Sequence, residues 1–224
     1  MANAVEKVNT IAIADIEAIN KITDANLQAL NTLEFTSVAP DAHTLISTHT
    51  ASASSSLDIT SGIDSTYDVY EFVFTNMHPA AQGEWFFQVN ASDDTGGGFD
   101  TSLITSTHFR AYNLENDGSA GVDYRGEADQ AQVAGYQQLS QDTAGSGFND
   151  ASVSGVLTLY APSSTTYVKH FMSRVNSMGA SPVTVDAFAA GYINTTLAIP
   201  EISFKFDSGN IDAGVIKMYG IAKS

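Results

Sequence analysis

The sequence predicts a mainly β protein: a jelly-roll-like antiparallel β-sandwich over residues 36–224, preceded over residues 1–35 by a short helical repeat segment. Three observations carry this expectation. After Phe35 the composition turns to Ser, Thr, Gly and aromatics, and apolar residues alternate with polar ones at the strand period. Turn-rich stretches separate these runs with no helical pattern between them, which favours packed antiparallel sheets over a parallel sheet. Before Phe35 the apolar residues instead recur with an unslipped period of 11.

In order along the β domain, the alternation predicts strands at Tyr67 to Asn76, Trp85 to Asn90, Ser102 to Tyr112, Val153 to Tyr160, Thr166 to Val175, Val183 to Ile193, Ile202 to Phe206 and Gly214 to Ala222. Tyr70, Phe72 and Phe74 share one face of the first, and Trp85, Phe87 and Val89 one face of the second, so both faces are assigned to the core. The last two strands, separated by a Gly- and Asn-containing turn, read as a terminal hairpin. The stretches Ala51 to Ser56, Asp93 to Gly98, Asn113 to Gly121 and Gln141 to Gly147 read as surface loops. Residues 113–151 are poor in apolar side chains and form a long excursion, or one holding a short edge strand around Tyr136 to Leu139.

The repeat aligns three units, each apolar at its first, fourth and seventh positions: Val5, Val8 and Ile11; Ile16, Ile19 and Ile22; Leu27, Leu30 and Leu33. Asn9, Asn20 and Asn31 occupy the fifth position. As one helix, an 11-residue period keeps the apolar stripe on one side with a slight right-handed drift. Such a stripe demands identical neighbours, a docking groove or the protein's own β domain, and an Asn at its edge would help fix register. A second conformation is three short helical turns, with Asp15 and Asn26 as N-caps. The expected assembly is a homotrimer, and the expected role of residues 1–35 is a stalk or anchor.

Charge excludes some partners. The formal net charge is −16, from 25 acidic against 9 basic residues, and between Asp41 and Tyr160 the only Lys or Arg are Arg110 and Arg125. A surface of that sign repels phosphate, so neither nucleic acid nor an anionic membrane is an expected partner. No apolar run approaches the roughly 18 residues of a membrane span, and the N-terminus shows no secretion signal, so the chain reads as made in the cytoplasm. Cysteine is absent, which excludes disulfides, thiolate metal sites and a thiol nucleophile.

No catalytic motif stands out: there is no phosphate-binding glycine loop, no HExxH and no serine elbow. The chain is therefore expected to be non-enzymatic and to carry no cofactor. A glycan-degrading activity is the alternative, because it needs only two carboxylates about 5–10 Å apart. His43 and His49 could share a strand face and, on a three-fold axis, bind a metal ion. The loops Asp93 to Asp100 and Glu115 to Asp123 combine oxygen ligands with Gly as calcium loops do, without the EF-hand spacing. Tyr112, Tyr124 and Tyr136 lie in or near polar loops and are candidates for stacking on sugar rings.

Three segments resemble tailed-bacteriophage virion proteins. Thr60 to Pro79, containing Tyr67-Asp-Val-Tyr70, is similar to the opening strand of a β-sandwich module of that family. Ile202 to Ile221, with its Tyr219-Gly220 pair, is similar to the closing hairpin. The N-terminal units resemble Ile-x-x-Ile-Asn repeats, with Thr or Lys where Gly often follows the Asn. The resemblance implies a virion structural protein: a tail fibre or adhesin docked to other virion proteins through residues 1–35 and contacting a host-surface glycan, or a capsid decoration protein. It supplies no catalytic residue.

Overall fold

The computed structural model describes residues 43–91, 98–99, 102–141, 143, 145 and 148–222, together with six two-residue strands earlier in the chain. The chain divides into two compact units, Met1–Asp41 and Ala42–Ser224.

In the first unit the strands are β1 (Lys7–Val8), β2 (Ile11–Ala12), β3 (Ala18–Ile19), β4 (Ile22–Thr23), β5 (Ala29–Leu30) and β6 (Leu33–Glu34). They pair antiparallel as β1 with β2, β3 with β4 and β5 with β6. The pairs set Val8 opposite Ile11, Ile19 opposite Ile22 and Leu30 opposite Leu33. The described residues of the repeat are these paired strands, with two residues between the strands of each pair. The helical expectation for the rest of the repeat lies outside the described residues, as do Val5, Ile16, Leu27, Asn9, Asn20 and Asn31.

The second unit contains β7 (His43–Thr50), β8 (Leu57–Ile59), β9 (Val69–Pro79), β10 (Trp85–Asn90), β11 (Leu103–Leu114), β12 (Ala120–Tyr124) and β13 (Ala131–Ala134). It continues with β14 (Gln137–Gln138), β15 (Val153–Tyr160), β16 (Lys169–Gly179), β17 (Val183–Ile193), β18 (Glu201–Phe206) and β19 (Ile211–Ile221). One antiparallel sheet runs β12-β11-β17-β16-β15-β9-β19-β7, with β13 also on β11; the other runs β14-β10-β18-β8. All eight expected strands are present. The four unforeseen ones, β7, β8, β12 and β13, are short or rich in Ser, Thr, Gln and Gly, whereas β14 is the short edge strand expected around Tyr136 to Leu139.

The sheets face one another across an aromatic core, as the alternation requires. Tyr70, Phe72, Phe74, Trp85, Phe87 and Val89 are all at most 2% exposed. Phe204 of the short sheet lies 5.5 Å from Phe72 and 5.1 Å from Phe74 of the long one, and Phe87 lies 4.9 Å from Phe171. The Tyr70 hydroxyl donates to the Asp64 carbonyl and accepts from its N–H, at 3.0 and 2.9 Å, pinning the approach to β9. Gly220 earns its place beside Tyr219 through the Tyr67 ring, which would lie 2.3 Å from any added Cβ.

Two expectations are corrected. Strands β18 and β19 are not a hairpin: β18 pairs β10 and β8, whereas β19 pairs β9 and β7. The turn at 207–210 carries the chain from one sheet to the other, where each strand finds its own aromatic partners. His43 and His49 do not share a face either. A register shift between Met218 and Tyr219 sets His43 opposite Ile221 and His49 opposite the buried Ile216. One extra residue in a strand reverses every later side chain. Burial accordingly pushes the His49 ionisation below its ordinary value.

Candidate functional site

The outer face of the long sheet carries an exposed aromatic trough. Cross-strand register builds it in rows, because residues two apart on each strand point to the same side. One row runs Tyr124, Phe109, Phe188, Arg174 and Val156 across β12, β11, β17, β16 and β15. The next holds Thr107, Ala190, Met172 and Thr158, and a third holds Thr105, Tyr192 and His170. Consecutive rows are about 7 Å apart, so the outer two stand about 13 Å from each other. Between them the small Ala190 leaves a shallow depression of about 350 Å³. Tyr160 borders its continuation toward His170 and Tyr192, and its hydroxyl reaches the Met172 sulfur at 3.7 Å.

The first row is a rigid wall. Phe109 and Phe188 stack with centroids 4.7 Å apart and planes 5° from parallel. The Arg174 guanidinium covers the Phe188 ring at 5.0 Å and is held by Asp186 through bonds of 3.1 and 2.7 Å. That carboxylate keeps Arg174 firmly protonated, raising its ionisation above the ordinary value, and cancels its charge. The trough is thus nearly neutral in a chain of net charge −16. Tyr124 is 59% exposed, Met172 57% and Phe109 43%, which is a large wet apolar area for one sheet face.

Of the three tyrosines singled out in the sequence, only Tyr124 joins this wall. Tyr112 lies beneath the Arg110 guanidinium at 5.1 Å on the opposite face of β11. Tyr136 donates to Ser203 Oγ at 3.0 Å, and Lys205 sits 4.0 Å above its ring. Phe109, Phe188 and Met172 fall out of phase with their strands' core residues, so the core alternation does not mark them. The legible signal was a strand apolar at both parities, as in Ala187-Phe188-Ala189-Ala190-Gly191-Tyr192.

Among the described residues the candidate metal groups do not assemble. Among the described residues no three His, Asp or Glu side chains are placed to hold an ion. His43 contacts Glu71 at 2.9 Å and the Tyr219 ring at 4.5 Å, whereas His49 contacts Ser47 at 2.9 Å. In the loop from Glu115, Asn116 Oδ1 accepts the Gly118 N–H at 2.9 Å, an ordinary Asx turn. Asp123 is taken by Arg110 at 3.0 Å and Arg125 at 3.5 Å, and these cations hold its carboxyl below the usual range. Asp93, Asp94 and Asp100 lie outside the described residues.

No protein-family model, curated protein or solved structure matches this chain.

Proposed function

We propose that the chain is a non-enzymatic structural protein of a bacteriophage particle, a homotrimeric tail fibre or adhesin anchored by its N-terminal repeat and displaying the β domain toward a host-surface glycan. The observation that carries this reading is the aromatic wall of Tyr124, Phe109 and Phe188 beside a neutral trough. Aromatic rings take the apolar C–H faces of sugars, while Thr107, Thr158 and His170 offer polar groups at the margin. The strand order supports it as well. Four strands in the order β7-β19-β9-β15, facing β8-β18-β10-β14, follow the two Greek keys of a jelly roll, an architecture of viral capsid and lectin domains. On that frame, β16, β17 and β11 to β13 widen one sheet and create the trough.

Immunogold labelling of particles with an antibody against residues 42–224 tests the assignment. Label on the tail is the expected result; label confined to the head would replace it with a capsid decoration protein, and unlabelled particles would overturn both. Met172→Glu, which puts a charge on the trough floor without touching the core, is expected to lower glycan binding at least tenfold with an unchanged melting temperature. A glycan array read beside a thermal melt checks this, and release of oligosaccharides by the parent chain would replace the adhesin reading with a degrading enzyme.

The repeat is assigned to assembly. Val8 with Ile11, Ile19 with Ile22 and Leu30 with Leu33 recur as paired strands, and units of that size bury little surface alone. Deleting residues 1–41 is expected to convert a trimer to a folded monomer. Light scattering reads the mass; a trimer that survives the deletion would remove the repeat from assembly.

A further inference from the structure

On the opposite face of β11 from the trough lies a polar layer, sealed by residues 125–141. His108 is its centre. The side chain is fully buried, and among the described residues neither ring nitrogen makes a well-aligned hydrogen bond, its nearest polar influence being the Leu139 backbone. The seal is fastened by hydrogen bonds. The Arg125 N–H donates to the His108 carbonyl at 2.9 Å, and the Ser106 N–H to the Gln130 carbonyl at 2.9 Å. Ser106 Oγ donates to Gln137 Oε1 at 2.6 Å, and Gln137 Nε2 to the Ala128 carbonyl at 2.9 Å. Ala128 and Leu139 are its buried apolar anchors, and all four residues of β13 are exposed. A segment with so little apolar burial opens at lower cost than the sandwich behind it.

We propose that His108 is an acid-operated latch, and that its protonation releases residues 125–141, with the edge strands β13 and β14, while the rest of both sheets stays folded. The charged groups acting on it are Arg110 from its own strand and Arg125 and Glu127 from the seal. Glu127 is already paired with Arg125, and Asp123 bridges Arg125 and Arg110. Across the strand β17 presents Ala189, which does not titrate. A cation on His108 would sit dry beside two guanidinium groups. Burial is the main cause that holds its ionisation below the ordinary 6.5, with the two arginines adding to it and the Leu139 backbone and Glu127 opposing. Once opened, the ring meets water and takes its ordinary value. Above 6.5 both forms are neutral and pH has no effect; below it, only the open form gains a proton. The opening constant therefore rises by up to about tenfold per pH unit as pH falls, until the closed-state value is reached.

The reporter is built in. Trp85 is the sole tryptophan, fully buried, and its carbonyl accepts the N–H groups of Leu139 at 2.7 Å and Ser140 at 3.3 Å. Its backbone N–H donates to Ser140 Oγ at 2.8 Å. In the full chain, Trp85 fluorescence is expected to red-shift and become quenchable by acrylamide between pH 7 and 5, with the far-ultraviolet circular dichroism unchanged. His108→Gln should abolish the shift, and His49→Gln should leave it intact. A shift unaltered in His108→Gln, or no shift before the dichroism is lost, would overturn the latch. Pulse hydrogen exchange on the unsubstituted chain, labelled at one fixed pH after acid incubation, decides the matter if the variant does not fold. Faster exchange confined to 125–141 supports the latch; uniform exchange overturns it.

Discussion

Replacing Phe204 by Ala is expected to cost roughly 3–5 kcal/mol and to bring the folded chain close to its unfolding threshold at 25 °C. Phe204 is fully buried and is the ring the two sheets share. Its centroid lies 5.1 Å from Phe74, 5.5 Å from Phe72, 5.9 Å from Trp85 and 6.5 Å from Phe87. Trp85 stacks on it with planes 8° apart, so truncation leaves a cavity lined by four aromatics that cannot collapse without tilting two sheets. Urea unfolding followed at Trp85 reads the loss directly. A cost under about 1 kcal/mol would mean that the sheets close over the gap.

Gly191→Val is expected to prevent folding altogether. Gly191 sits on β17 between β11 and β16, with its missing side chain directed at β11. A Cβ there would meet the Thr105 carbonyl oxygen at 2.3 Å and the Ser106 Cα at 2.8 Å. Both atoms are backbone, so no rotamer change relieves the clash; strands β11 and β17 must separate, and their ladder from Ile104–Ile193 to Leu114–Val183 is lost. The same separation would dismantle the trough, whose rows cross both strands. Expression as insoluble protein, or a flat near-ultraviolet spectrum, is the expected readout. A soluble Gly191→Val chain with an unaltered melting temperature would show that the strands are held apart by more than the glycine.

The strands were legible where one face alone is apolar. Lys169–Gly179 buries every second residue, as does the Tyr70, Phe72 and Phe74 stretch of Val69–Pro79, and there the period-2 signal is strong. It fades in β12, β13 and β14, which are short and rich in Gly, Ala and Gln. The terminal hairpin was misread because a turn such as Asp207 to Asn210 serves equally to return a strand to its neighbour or to send it across the core. Only the positions of β9 and β10, far away in sequence, decide between them. The bulge in β7 has no local signature either, since Leu45, Ile46 and Ser47 are compatible with regular alternation, yet it parts His43 from His49. The trough depends on rows assembled from five strands, and no pattern within one strand reveals them; Tyr124 was noticed for its polar surroundings and not for Phe109, its cross-strand neighbour.

His43 of β7 stands opposite Ile221 of β19, so the first and last strands of the second unit are direct neighbours. The second unit thus begins and ends on neighbouring strands at one edge of the long sheet. A short linker could join the two ends and the chain could be cut at an exposed turn instead, with every sheet neighbour preserved. Within that unit the fold is defined by which strands are sheet neighbours and not by their order along the chain.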